Sequence, residues 1–198
     1  LIDLEKVGDY YLIYNEDELK WLSDVIKDDL IRDEYYNKKY RWMKDINLAK
    51  FQFDEGWDPN GIIEEKYFDG EFDGNNKVIS GLKIDDMTKD AVGLFGFTSD
   101  NSVIKDLSIV DSDISGNKNV GTIVGIQKGL LENCKVYGNV NGIESVGGIA
   151  GFKYGMINNS SVYGDVTGKK LIGGIVGSNN GNINQSFFVG NVIGTETN

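Results

Sequence analysis

Gly121-Thr-Ile-Val-Gly125, Gly147-Gly-Ile-Ala-Gly151 and Gly173-Gly-Ile-Val-Gly177 are one word written three times, 26 residues apart. Thirteen residues after each closing glycine comes another: Gly138, Gly164 and Gly190. These sit in Val136-Tyr-Gly-Asn-Val140, Val162-Tyr-Gly-Asp-Val166 and Phe188-Val-Gly-Asn-Val192. Between the two words run Leu131-Glu-Asn-Cys134, Ile157-Asn-Asn-Ser160 and Ile183-Asn-Gln-Ser186. A looser copy begins at Gly93-Leu-Phe-Gly96 and continues through Ile104-Lys-Asp-Leu-Ser-Ile109. It is about three residues longer, and the extra length falls near Ser99–Asn101 and at Asp111. The repeats are therefore about 93–118, 119–144, 145–170 and 171–194.

Inside each repeat the apolar period is two. Cys134, Val136 and Val140 alternate with Lys135, Tyr137 and Asn139, and the later copies do the same. That period, with β-branched residues and Gly/Asn punctuation, predicts strands and tight turns. No stretch of 91–198 has helical spacing long enough for a crossover helix. A propeller blade needs about 40 residues, and the Leu/Asn lattice of a leucine-rich repeat is missing. The remaining solution is all-β: a single-stranded parallel β-helix, or solenoid, in which each repeat is one rung. Rungs would lie about 4.8 Å apart, so like residues would form ladders. The expected inward columns are Ile123/Ile149/Ile175, Cys134/Ser160/Ser186 and Val140/Val166/Val192.

Upstream the character changes. Residues 1–60 hold 24 charged residues and two glycines, whereas 119–198 hold nine charged residues. We read 1–60 as an N-terminal α-helical cap with the first strands, and 61–198 as the β-helix body of one continuous domain. Asn15-Glu-Asp-Glu18 offers an N-cap with Glu at the third helical position. Leu19, Leu22, Val25 and Ile26 then recur at helical spacing, predicting an amphipathic helix over 16–29. Tyr40, Trp42, Ile46 and Leu48 share one parity and predict a strand. Phe68, Phe72, Val78, Ile79, Leu82 and Ile84 suggest irregular first turns of the body. A helix over the first rung would cover an open sheet edge.

The whole chain has 198 residues, a net charge of −11, one cysteine and no histidine. Without His there is no Ser-His-Asp triad, Cys-His dyad or His-ligated zinc within these residues. One Cys rules out an intrachain disulfide framework and a multi-Cys metal site. The acidic balance argues against nucleic acid as a partner. No apolar run is long enough to span a membrane. The first residue is Leu, and no charged-then-apolar signal segment follows, so the chain reads as a piece of something longer with flanking domains.

Gly93-Leu-Phe-Gly96, Gly174-Ile-Val-Gly177, Gly181-Asn-Ile-Asn-Gln-Ser186 and Val189-Gly-Asn-Val192 resemble the GLUG motif. Phe68-Asp-Gly-Glu-Phe-Asp-Gly74, Ile79-Ser-Gly-Leu82 and Asp45-Ile-Asn-Leu48 resemble the section that commonly precedes GLUG repeats. The resemblance covers roughly residues 12–194, and Thr122 departs from it where Gly would be expected. It implies a right-handed parallel β-helix in large secreted or surface-anchored bacterial proteins. These include adhesin-like proteins and regions flanking IgA-cleaving zinc metallopeptidases. No catalytic residue belongs to the motif.

Candidate chemistry is sparse. Asp69-Gly-Glu71-Phe-Asp73-Gly74 imitates the start of a calcium loop, but Ser80 stands where the bidentate Glu belongs. Asp85, Asp86, Asp106, Asp111 and Asp113 would be the acids of a glycosidase- or lyase-like pair, and they read as solvated turn residues. Arg32 and Arg41 are the available guanidinium clamps. Cys134 shares a column with Ser160 and Ser186 and reads as a small buried residue, not a nucleophile. Trp57 in Trp57-Asp-Pro-Asn-Gly61 reads as a lid over the cap, the alternative being a sugar platform. Lys169-Lys170 is a turn charge. Tyr137 and Tyr163, with Val189 next in register, are placed on the outward parity as an apolar strip for a host or surface glycan or a protein partner. No cofactor or metal is implied. The expectation is a non-catalytic extracellular or cell-surface module, a rigid spacer with a lateral adhesion face. The alternatives are a substrate-positioning region of a secreted metallopeptidase and a polysaccharide-active enzyme.

Overall fold

The structure is a computed structural model and describes residues 2–59 and 64–196. It is mostly β, with one α-helix among the described residues. Strands collect into a 14-stranded sheet, a four-stranded sheet and a three-stranded sheet.

Repeats pair in parallel, each residue with its equivalent 26 positions on. In the long sheet Val136 pairs with Val162 and Val162 with Phe188. Val140 likewise pairs with Val166, and Val166 with Val192. The four-stranded sheet joins Phe95–Phe97, Val124–Gln127, Ala150–Lys153 and Val176–Asn179. Lys118–Val120, Glu144–Gly147 and Lys170–Gly173 form the third. The first repeat departs where the sequence said it would. Phe97 pairs with Ile126 but Val103 with Leu130, so the turn at 98–102 is longer than the turn at 127–129. Asp111 is a bulge at φ 52°, after which Ser112 pairs with Gly138.

Glycine at the end of each repeated word lets two sheets touch backbone to backbone. A Cβ on Gly151 would lie 2.2 Å from the carbonyl carbon of Asn119, and one on Gly177 2.3 Å from the nitrogen of Val146. Two columns of left-handed residues make the corners. One is Asp106, Asn133, Asn159 and Gln185, at φ 46–54°. Short polar side chains tolerate this region better than most, and they bond one another, Asn133 Nδ2 donating to Asp106 Oδ1 at 2.7 Å. The other is Asn119, Ser145 and Leu171 at φ 54–57°, where Leu171 carries no sequence signal.

One contiguous apolar core runs from Leu4 to Val166. Ile123, Ile149, Cys134, Ser160, Val140 and Val166 are buried in it as expected. Ile175 and Ser186 are half-buried, and Val192 is 48% exposed, because the last described strands have a neighbour on one side only.

In the N-terminal region, helix α1 (Glu16–Lys27) buries Leu19, Leu22, Val25 and Ile26. Asn15 caps it by accepting from the Glu18 N–H at 3.0 Å. The Glu18 carboxylate reaches the N–H of Tyr14, one residue before the cap. The helix stops two residues short of the expected end because Asp28 turns extended and its carboxylate takes the Leu30 N–H. The expected strand through Tyr40 and Leu48 is two pieces, Lys39–Trp42 and Ile46–Asn47. Its partner Glu71–Ser80 shifts register between Asp73 and Lys77, with Asn75 and Asn76 left-handed, and Asp45 takes the Val78 N–H instead. Tyr40, Trp42, Ile46 and Leu48 are all buried regardless.

Candidate functional site

Tyr137 and Tyr163 point outward from paired strands, because their neighbours Val136 and Val162 take the inward parity. Their rings stack with centroids 4.7 Å apart and planes within 3°. Val189 follows in register, 52% exposed. The strip expected from the sequence is thus brought together. Phe187 was missed. It continues the column Lys135–Ser161 and meets Tyr163 edge-on at 5.8 Å. An exposed Phe where the earlier copies carry Lys and Ser was the available signal. Beside the rings lies a recess of about 310 Å³, lined by residues that include Asn133, Asn159, Gln185, Lys135, Tyr163 and Phe187. A stacked pair of rings beside a row of amides suits binding: the ring edges offer apolar C–H surface and the amides offer both donors and acceptors.

The other candidates scatter. In the calcium-like word, Asp69 accepts from Ser99 and Asn101, Glu71 from Tyr10, and Asp73 binds Arg41. Three oxygens that should converge are each committed elsewhere, which corrects the calcium-loop alternative. Among the described residues no group of three or more His, Cys, Asp or Glu is placed to hold a metal. Glu71 anchors a surface network with Tyr10 at 2.5 Å, Lys105 at 3.0 Å and Lys39 at 3.8 Å. Burial works to raise its carboxyl, but the Tyr10 hydroxyl and the two ammonium groups outweigh it and hold it below the ordinary range.

Of the acids proposed as a catalytic pair, Asp86 accepts from Thr88, Asp106 from Asn133, and Asp111 sits on its bulge. Beyond that bulge, in one parallel pairing, Asp85 pairs with Ser115 and Asp113 with Lys83. Arg32 donates to the carbonyls of Tyr67 and Ile26 and lies over the Tyr36 ring, and Arg41 lies over Tyr10. Both hold N-terminal strands and loops together. Cys134 is fully buried, and burial pushes its thiol up to about 12, the reverse of nucleophile activation. Trp57 is 1% exposed against Phe51, so the sugar-platform alternative is corrected. The Asn60-Gly61 half of its turn lies outside the described residues. Lys169 and Lys170 are exposed.

No protein-family profile matches the chain. Halomucin of Haloquadratum walsbyi is 33% identical over 127 residues, which is 64% of this chain and 1% of halomucin. The chain therefore spans a very small part of that relative. Among solved structures, a Bacteroides ovatus protein described as a candidate immunoglobulin A1 protease superposes with a TM-score of 0.69 at 20% identity. The match covers 91% of this chain and 57% of that one, and the likeness is one of fold. No helix among the described residues is long and apolar enough to cross a membrane.

Proposed function

We propose that this chain is a non-catalytic module of a secreted or surface-displayed protein of the GLUG-repeat kind. Its 26-residue repeats form a right-handed, single-stranded parallel β-helix, capped at the start by residues 1–60 and helix α1. The module acts as a stiff spacer and presents Tyr137, Tyr163 and Val189 on one side as a ligand face. The observation that carries this reading is the repeated register: Val140, Val166 and Val192 pair in parallel, and the other sheets repeat the same interval. Stiffness follows from such stacking, because each repeat is held by its neighbours along its whole length. The similarity to a stretch of halomucin supports a place outside the cell.

The test is binding of the purified chain to a glycan array and to immobilised host-matrix proteins. Binding that falls about tenfold in Tyr137→Ala and Tyr163→Ala is the expected result. A chain that binds neither surface overturns the ligand face. Release of reducing or unsaturated ends from a polysaccharide panel overturns the non-catalytic reading.

A second reading is favoured by the fold likeness to the protein described as a candidate immunoglobulin A1 protease. On it, the module flanks a metallopeptidase and positions its substrate, the metal lying elsewhere in the longer chain. A His-Glu-x-x-His segment in the parent sequence would select this reading.

A further inference from the structure

The turn at 98–102 is longer than the fold needs. Later repeats close the same corner with Gln127-Lys-Gly129, Lys153-Tyr-Gly155 and Asn179-Asn-Gly181. In the first repeat the longer Thr98-Ser-Asp-Asn-Ser102 takes that place, and its residues help line two adjoining recesses. One of about 290 Å³ is lined by Tyr67, Asp69, Phe97, Asp100, Asn101 and Lys128, with Thr98 and Ser99 behind. The other, of about 500 Å³, is lined by Phe97, Asp100, Ile126, Lys128 and Tyr154. Phe97, Asp100 and Lys128 line both, with Tyr67 in the first and Tyr154 in the second.

The site is held in shape before any ligand arrives. Asp69 accepts from Ser99 and Asn101, the Ser102 hydroxyl donates to the Ser99 carbonyl at 2.7 Å, and Ser99 N–H bonds the Phe68 carbonyl at 3.0 Å. Tyr154 is 50% exposed, and its ring stacks on Phe152 at 4.7 Å with the Lys128 ammonium 5.9 Å from its centroid. Recesses of this volume, mostly polar in the first and half aromatic or aliphatic in the second, suit a small ligand that carries both hydroxyl groups and apolar faces.

We infer that this double recess binds a neutral oligosaccharide, two sugar units occupying the two halves. A pyranose has apolar C–H faces and a hydroxylated rim. The faces match Tyr67, Phe97 and Tyr154, and the rim matches Asp100, Asn101 and Lys128. Two carboxylates against one ammonium, on a chain of net charge −11, disfavour an acidic glycan. This site is separate from the Tyr137 strip and stands or falls without it.

The test is titration calorimetry of the whole chain with hexamers of β-1,4-glucose, β-1,4-N-acetylglucosamine, β-1,4-mannose and α-1,4-glucose, and with a hyaluronan hexamer as the acidic control. At least one neutral hexamer binds, and Asp100→Ala, Asp100→Asn and Tyr154→Ala each weaken it about tenfold or more. Replacing residues 98–102 by Gln-Lys-Gly abolishes binding, while Lys169→Ala, at an exposed turn outside both candidate faces, leaves it unchanged. Circular dichroism melts confirm that the variants fold. Absence of binding by every neutral hexamer, preference for hyaluronan, or affinity indifferent to the Asp100 and Tyr154 variants overturns the proposal.

Discussion

Two regions of this molecule build one sheet by different means. The N-terminal region and the first irregular strands are packed by large rings. Trp42 meets Phe72 at 5.3 Å, Phe72 meets Phe95 at 5.1 Å, and Phe68 meets Phe95 at 5.1 Å. From residue 119 onward the repeats carry no such buried cluster among the described residues. Their interior is mainly Ile and Val with smaller residues such as Cys134, Ala150 and Ser160, and the paired strands set like positions against one another one repeat away. Where backbone geometry is irregular, shape must be fixed by unique bulky side chains. Where it recurs, the ladder fixes shape and side chains only fill. The regions should therefore fail in opposite ways, the first when atoms are removed and the second when atoms are added.

Removal comes first, as the larger effect. Phe72→Ala takes a fully buried ring out of a cluster of four aromatics, and the stiff neighbours cannot collapse into the space. A loss of about 3–5 kcal/mol is expected from urea unfolding. A loss under about 1 kcal/mol would mean the ring cluster is not what organises this region.

Addition comes next. In Gly151→Ala the new methyl would stand 2.2 Å from Asn119 backbone and 2.3 Å from Val120 backbone, so two sheets must part. The expected cost is about 1–3 kcal/mol. Gly8 gives the contrast. A Cβ there meets nothing within 4 Å, and only its φ of +60° resists, for about 1 kcal/mol. Equal losses at the two sites would erase the distinction between sheet contact and simple backbone strain.

The contrast also explains what could be read from the letters. Periodic structure was legible because each position is written several times: the 26-residue register, the buried columns, and the extra residues at 98–102 and 111 all follow from aligning the copies. The aromatic strip was legible through parity alone. The N-terminal region is written once, so its helix start was readable from Asn15 but the break after Trp42 was not. That break depends on the shift in a strand thirty residues later. Likewise the adjoining recesses at the 98–102 turn draw on Tyr67 and Tyr154, residues that no local pattern connects.

A third effect concerns a side chain that looks out of place in the repeats. Lys153 is fully buried, in register between Gln127 and Asn179. Its Nζ donates to the Gly155 carbonyl at 2.6 Å and to Asn179 Oδ1 at 3.1 Å. Burial lowers its pKa from 10.5 to about 8. The unfolded chain then holds a proton that the folded one has shed across that window. Stability should rise as pH climbs from about 8 to 10.5, and be lowest below 8. Gln127 shows a neutral solution, with Nε2 donating to Gly129 O at 2.9 Å. Lys153→Gln should raise stability at pH 7 by about 1 kcal/mol, because no charge is buried and the carbonyl keeps a donor. It should also flatten the alkaline rise in urea midpoints. A destabilised variant would show the ammonium to be an asset of the corner.

The smallest effect tests whether positions in a column are interchangeable. Ser160 Oγ donates to the Asn158 carbonyl at 2.8 Å and accepts the Cys134 N–H at 3.1 Å. Ser186 repeats both bonds, to the Asn184 carbonyl and from the Ser160 N–H. Cys134 occupies the equivalent place with a weaker donor, its Sγ 3.4 Å from the Glu132 carbonyl. Cys134→Ser exchanges buried sulfur for a stronger hydrogen bond whose geometry the next two repeats already display. The two changes nearly cancel, and the urea midpoint should move by less than about 1 kcal/mol in equivalent stability. The wild-type thiol, buried and with its pKa pushed up to about 12, should resist labelling until the chain unfolds. A loss beyond about 3 kcal/mol would show that the first member of the column is packed like the N-terminal region, by shape, and not like the repeats that follow it.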